Sequence, residues 1–282
     1  MSYKRILTIQ DISCVGQCSL TVALPILSAC GLETCVLPSA VLSTHTAGFT
    51  GFTVRDLTED IPAICDHWCK EGIQFEAIYT GYLGSTLQIQ YVLDIFRRTG
   101  TDNCVKIVDP AMADNGKLYA GFVTEFVGAM KGLCAKADVL VPNITEASFL
   151  LEQPYIAEGS DRAYIEGLLK GLTGLGPRCA VLTGVSFAEN ELGAAAYDRE
   201  TDTFTTYFTA RETKNFHGTG DLFASALVGA LENGLTIEEG MRVACEYTLA
   251  ALRATLNDPE GLWYGVNFEE ALPTYLRLLG KI

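Results

Sequence analysis

The chain has 282 residues, 49% of them hydrophobic and 19% charged, and carries a formal net charge of -14. That composition supports a substantial core and argues against bulk disorder. The charge argues against nucleic acid and anionic membrane surfaces as partners, which need a positive patch, yet leaves phosphate open, because backbone amides plus a metal hold phosphate inside acidic proteins.

In chain order, Met1–Arg5 leads into an apolar stretch that stops at Gln10-Asp11, too short for a secretory signal. No later run reaches the roughly 18–20 apolar residues of a bilayer span, so the cytoplasm is the expected compartment. Lys4–Ile9 reads as a strand, Ser19–Cys30 as a helix closed by Gly31, and Glu33–Leu37 as a strand. Asp56–Glu71 reads as a helix, Phe75–Thr80 as a strand, Thr86–Arg98 as a helix and Val105–Asp109 as a strand. Phe122–Cys134 is a helix, Asp138–Val141 a strand, Thr145–Leu151 and Asp161–Leu172 helices, and Cys179–Thr183 a strand. This βαβα order predicts an α/β fold on a mainly parallel sheet. Ala194–Asp198 and Thr203–Phe208 are joined so briefly that they form an antiparallel hairpin at one sheet edge. Gly220–Asn233, Thr236–Thr255 and Phe268–Leu279 close the chain as helices. No linker or repeat divides it, which predicts one domain over residues 1–282. Ten cysteines, most in apolar runs, read as small buried hydrophobes; the pairs Cys14/Cys18 and Cys65/Cys69 lack zinc-site spacing.

Ligands of open α/β sheets bind beyond the carboxyl ends of the parallel strands. Polar, acidic and glycine residues gather there: Gln10–Ser13, Gly81–Ser85, Asp109–Gly116, Pro142–Glu146 and Thr183-Gly184. The sharpest local signal is Gly218-Thr219-Gly220-Asp221, followed at once by an apolar helical stretch. Glycines let backbone approach a ligand, and a helix N-terminus offers free N–H groups and about half a positive elementary charge, which suits a phosphoryl group. A helix cap is the plainer reading of Asp221. The Gly-x-x-x-x-Gly-Lys-Ser/Thr loop is absent, and so is a dinucleotide fingerprint after the first strand.

Ile9-Gln10, Ser43-Thr44-His45-Thr46, Thr80–Ser85, Val108-Asp109-Pro110 with Asp114, Pro142-Asn143 with Thr145-Glu146, and Gly218–Asp221 together resemble the ribokinase-like superfamily, and within it the pyridoxal kinases. The similarity runs from Ile6 to about Gly234. It implies a three-layer fold of helices around the sheet and transfer of phosphate from ATP to a vitamin B6 vitamer. Asp221 would be the base toward the hydroxymethyl group, with the amides of Gly218, Thr219 and Gly220 as the anion hole. Asp109, Asp114 and Glu146 match residues that serve Mg²⁺, directly or through water. Asn143, Thr145, Glu146, Thr183 and Gly184 match nucleotide contacts, and Thr183 also neighbours a monovalent cation, which brings in K⁺. Tyr82, His45 and Thr46 match the pyridine-ring pocket, Met112–Ala120 the flap that covers the site, and the family precedent is a homodimer.

The chain departs from the family at Asp11, where serine is usual; Asp11 holds a polar group of the vitamer, or it points away and Ser13 takes that place. Ala113 replaces a glycine of the flap. His217 before the nest resembles hydroxymethylpyrimidine kinases, so a kinase of that alcohol is the first rival reading. A nucleotide-binding sensor without turnover is the second.

Overall fold

The computed structural model describes residues 4–156, 159–214, 216–261 and 263–282. Eleven strands occur in chain order: β1 (Arg5–Ser13), β2 (Glu33–Leu42), β3 (Val54–Asp56), β4 (Phe75–Thr80), β5 (Gly100–Val108), β6 (Ala113–Asp114), β7 (Lys117–Leu118), β8 (Val139–Leu140), β9 (Cys179–Val185), β10 (Glu191–Asp198) and β11 (Thr203–Ala210). Nine of them form one sheet in the order β11-β10-β9-β8-β5-β4-β1-β2-β3, while β6 and β7 pair separately. The six central strands, β9 to β2 in that order, run parallel. β10 and β11 are the expected antiparallel hairpin.

Helices α1 (Leu20–Ala29), α2 (Ile61–Lys70), α3 (Thr86–Thr99), α4 (Thr124–Cys134), α5 (Ile144–Leu151), α6 (Arg162–Gly174), α7 (Thr219–Glu232), α8 (Ile237–Asn257) and α9 (Phe268–Leu278) cover both faces. One apolar layer lies under α2 to α6 and the other under α1, α7, α8 and α9. The strands alternate sides accordingly: Ile78 of β4 joins the first layer, Ala77 and Tyr79 the second. Each fully buried Leu, Ile or Phe of these layers is worth about 1.5–3 kcal/mol over leaving it in water. α7 is buried almost without interruption from Leu222 to Ala230, as befits a helix enclosed by the sheet and its neighbours. Six cysteines, among them Cys30, Cys134 and Cys245, are buried. No helix is long and apolar enough to cross a membrane among the described residues.

Three features differ from the sequence expectations. β1 does not stop at Ile9: it runs on to Ser13 across a register shift between Gln10 and Ile12, where β2 holds one extra residue, so Asp11 sits within the strand opposite a bulge rather than in a loop. The helix expected from Asp56 begins at Ile61, with Pro62 in its first turn. Val54–Asp56 is instead an antiparallel edge strand on β2, and the Asp56 carboxylate turns the chain by accepting from the Thr58 amide at 2.7 Å. The flap region contains the β6–β7 hairpin, tightened by left-handed Asn115 and Gly116.

Candidate active site

The N-terminus of α7 opens at Gly218, whose φ of 81° is left-handed. A Cβ there would fall 1.9 Å from the Gln17 carbonyl oxygen, so only glycine allows the two backbones this approach. No side chain caps α7. Thr219 donates instead to the Phe216 carbonyl at 3.2 Å, and nothing lies within 4 Å of where a Gly220 Cβ would stand. The space beside Gly220 is thus open, and the first-turn amides carry the positive end of the helix dipole.

Asp221 follows in that first turn. The residue is half-buried, but its carboxyl is surrounded by protein, and burial pushes its pKa up to about 6. The Asp11 carboxylate raises it further and the Ser19 amide opposes. Asp11 is itself buried; its Oδ2 accepts from Ser13 Oγ at 3.1 Å, and burial raises its pKa against the hydroxyls of Ser19 and Ser13. Ser19 thus stands between the two carboxylates, with a left-handed φ of 52° and no capping bond to α1. Burial and these same carboxylates keep the Cys18 thiol protonated.

Asp109 directly follows β5 and is buried; desolvation and the like charges of Glu146 and Asp221 raise its pKa well above the usual carboxylate range. Glu146 is raised to about 8 by burial, against the amides of Asn143, Met112 and Ala113. It forms a reciprocal capping box with Asn143 at the start of α5, and its second oxygen accepts from the Met112 amide at 3.1 Å. Asn143 Nδ2 donates to the Ala113 carbonyl at 2.9 Å, and Thr145 Oγ1 accepts from the Gly116 amide at 3.1 Å. Three of the five residues matched to nucleotide contacts, Asn143, Thr145 and Glu146, therefore hydrogen-bond to the flap. Asp114 is exposed on the flap, its carboxylate turned back on Asn115. Thr183 hydrogen-bonds the Pro142 carbonyl through its amide at 2.9 Å, and left-handed Gly184 faces open space beside it.

On the acceptor side, Tyr82 stacks on Phe122 at 5.6 Å, and Phe122 on Phe126 at 3.9 Å. His45 is buried with both ring nitrogens engaged: Nε2 donates to the Tyr264 carbonyl at 2.7 Å and Nδ1 accepts from the Ala47 amide at 3.2 Å. Only its ring face is left for a ligand. Thr46 beside it is exposed.

Sequence reasoning missed four contributors. Phe49, Trp263 and Tyr264 pack with His45 and His217 into one aromatic wall, an arrangement between segments 219 residues apart that no local pattern signals. Tyr119 of the flap is 39% exposed as a residue, and its hydroxyl is held protonated by desolvation and by the charges of Glu146, Asp221, Asp109 and Asp114. A cavity of about 390 Å³, lined by Lys214, Phe216, Thr255, Leu256 and Trp263 among others, adjoins the segment leading into α7. Another of about 520 Å³ lies between the flap, α4 and α5, outside the acidic cluster.

The Phosphomethylpyrimidine kinase family profile matches residues 24–263. The chain belongs to that family. A protein from Bacteroides thetaiotaomicron assigned as a phosphomethylpyrimidine kinase superposes with a TM-score of 0.92 at 37% identity, over 97% of this chain and 94% of its own; another crystal form of that protein was solved with pyridoxal. Pyridoxal kinase from Lactobacillus plantarum superposes with a TM-score of 0.89 at 31% identity, over 98% of each chain. A hydroxymethylpyrimidine/phosphomethylpyrimidine kinase from Mycobacterium tuberculosis is 25% identical over 260 residues, 90% of each chain. This member of the phosphomethylpyrimidine kinase family is thus a phosphotransferase acting on an alcohol group, with the ribokinase-like fold that its motifs resemble. Pyridoxal kinases and hydroxymethylpyrimidine kinases both stand among its relatives.

Proposed function

We propose that the protein transfers the terminal phosphoryl group of ATP to the 5′-hydroxymethyl group of a vitamin B6 vitamer, as in B6 salvage. The observation that carries this reading is the juxtaposition of an uncapped amide cradle at Gly218–Gly220 with an Asp221 carboxyl whose pKa of about 6 suits a base near neutrality. Asp221 accepts the proton of the attacking hydroxymethyl group, and the cradle amides donate to the phosphoryl oxygens as charge shifts across them. The cavity at Phe216 and Leu256 suits the adenine ring, with Lys214 at its rim. Tyr82, the His45 ring face and Thr46 border the vitamer, and flap closure excludes water from the transferring group.

Mg²⁺ fits the donors present. Asp109 and Glu146 are buried oxygen donors whose pKa values burial raises, with neighbouring carboxylates adding to the rise, and Asp114 stands on the flap. Mg²⁺ keeps several waters and takes nucleotide phosphate oxygens as ligands, so one or two of these carboxylates would be enough to hold it. When bound with ATP, the ion supplies charge neutralisation between the phosphates and these acids. K⁺ beside Thr183, a homodimer, a single domain and a cytoplasmic location complete the reading by family precedent.

Hydroxymethylpyrimidine is the rival acceptor, favoured by His217 next to the cradle, which sits 5.8 Å from His45 ring to ring. A coupled ADP-release assay with pyridoxal, pyridoxine, pyridoxamine and hydroxymethylpyrimidine, each with and without Mg²⁺ and K⁺, decides between them. Turnover confined to the pyrimidine overturns the B6 reading, and ATP binding without turnover leaves only a sensor. Asp11 is expected to favour pyridoxamine or pyridoxine over pyridoxal, since an ionised carboxylate accepts hydrogen bonds where serine also donates. Asp11→Ser should then reorder kcat/KM among the three vitamers; an unchanged ranking removes the idea.

A further inference from the structure

Behind the catalytic carboxylates lies a second polar group of residues, sealed from solvent. Ser225 stands one helical turn after Asp221 on α7, on the same face. Tyr79 of β4 pairs in register with Thr8 of β1, and Gln10 lies two residues further along β1, on the same side of the sheet. All four are 0% exposed. Gln10 Nε2 donates to Thr8 Oγ1 at 3.0 Å. Its carboxamide lies so close over Gly81 that a Cβ there would be 2.7 Å from Oε1. The Tyr79 hydroxyl faces both Ser225 and Gln10 and feels the charges of Asp109 and Asp221. Gln10 Oε1, the Tyr79 hydroxyl and Ser225 Oγ are buried without a completed hydrogen bond among the described residues, although Ser225 and Gln10 lie near enough to the Tyr79 hydroxyl to oppose the rise in its pKa.

Three unpaired polar atoms at one point of a core call for a reason, since apolar side chains of the same shape would fill that volume without the desolvation cost. Their placement supplies one. Tyr79 and Gln10 belong to the two strands whose ends carry Gly81 and Asp11, and Ser225 belongs to the helix that carries the cradle. We infer that Tyr79, with Gln10 and Ser225, is a positioning residue that fixes the first turn of α7, and with it Asp221, against the ends of β1 and β4. The three act as one unit, with the Tyr79 hydroxyl at its centre. Their contribution is geometric: displacing a reacting group by about 1 Å costs on the order of a hundredfold in rate. This inference rests on the role given above to Asp221.

The test compares Tyr79→Phe, Ser225→Ala and the double variant with wild type in two readouts. Tyr79→Phe removes one oxygen and leaves the ring packing in place. The first readout is steady-state phosphorylation of pyridoxal. Tyr79→Phe is expected to lower kcat at least tenfold with KM for ATP and pyridoxal within twofold, and the double variant to fall within twofold of the worse single one. The second is backbone hydrogen exchange in the unliganded protein, expected to quicken in the first turns of α7 while the central strands keep their protection. Unchanged kcat together with unchanged exchange overturns the inference. So does a uniform loss of protection across the sheet, which marks general destabilisation. If wild type phosphorylates none of the alcohols, the functional reading fails on its own, and the exchange result still decides whether this cluster fixes α7.

Discussion

The N-termini of α5 and α7 carry the same kind of signature, a small or polar residue with an acid three positions on: Asn143 with Glu146, and Gly218 with Asp221. Their structures diverge. At α5 the pair closes on itself in a reciprocal capping box, and the leftover polar atoms hold the flap. At α7 the acid leaves the first-turn amides alone and faces Asp11 and Asp109. An acid in a first helical turn is thus a cap where its own helix receives it, and a reagent where the amides are left free for a ligand. The difference lies in the residue that opens the helix, because asparagine supplies an oxygen that satisfies amides and glycine supplies none.

Asp221→Asn gives this contrast its largest effect. The variant keeps the shape and loses the base, so kcat should fall by about 10² to 10⁴. Its stability should not fall. The folded protein holds the Asp221 proton more tightly than the unfolded chain, because the pKa rises from 3.8 to about 6. Ionisation therefore withdraws stability as pH climbs through that window, and the loss persists above it. Asparagine removes the penalty, so melting at pH 7.5 should occur at or above the wild-type temperature. A clear drop in Tm would mean that Asp221 is a structural cap after all. The wild-type pH profile sharpens the point: kcat/KM should decline on the acid side with a midpoint near pH 6, as protonation of Asp221 disables it. A midpoint near 4 would show that the carboxyl is not desolvated in the working enzyme.

Asn143→Ala should behave in the opposite way. It deletes the acceptor of the Glu146 amide and the donor to Ala113, both at 2.9 Å. The loss of such a cap costs about 1 kcal/mol, or roughly 2–4 °C in Tm for a chain of this size. Differential scanning fluorimetry without nucleotide reads this term apart from any effect on ATP binding. An unchanged Tm would show the capping box to be expendable and would weaken the contrast with α7.

Legibility followed the same division between local and distant causes. Phe75–Thr80 and the edge hairpin were readable because a short β-rich run and turn residues are local signals. The cradle was readable because glycines bracket a helix start. β3 was not: all three of its residues are exposed and two are charged, so nothing in Val54-Arg55-Asp56 alternates, and only pairing with β2 makes it a strand. The bulge opposite Asp11 is likewise a property of two strands together. Ser19 was read as an ordinary helix start. Its left-handed backbone angle stands beside the close approach of Gln17 to Gly218, a contact between distant parts of the chain that no local pattern signals.

Ser19 also provides the smallest and most discriminating test. Ser85, Asn143, Asp161 and Thr236 cap their helices with side-chain oxygens, whereas Ser19 does not. Its φ of 52° and ψ of -131° suit glycine better than any L-residue. Holding a serine there costs on the order of 1 kcal/mol. Ser19→Ala keeps that strain and removes the hydroxyl that faces Asp11; Ser19→Gly removes both. Relief of strain in the glycine variant is offset by roughly 0.4–1 kcal/mol from its freer unfolded chain, so its Tm should stay within about 2 °C of wild type and above that of the alanine variant. Both variants should lose a similar severalfold factor in kcat/KM for the vitamer, because both lose the hydroxyl. If glycine alone kept full activity, the backbone angle rather than the hydroxyl would be what the site requires. If alanine proved as stable as glycine, the angle would carry no strain, and Ser19 would belong with the ordinary helix starts from which it has been set apart.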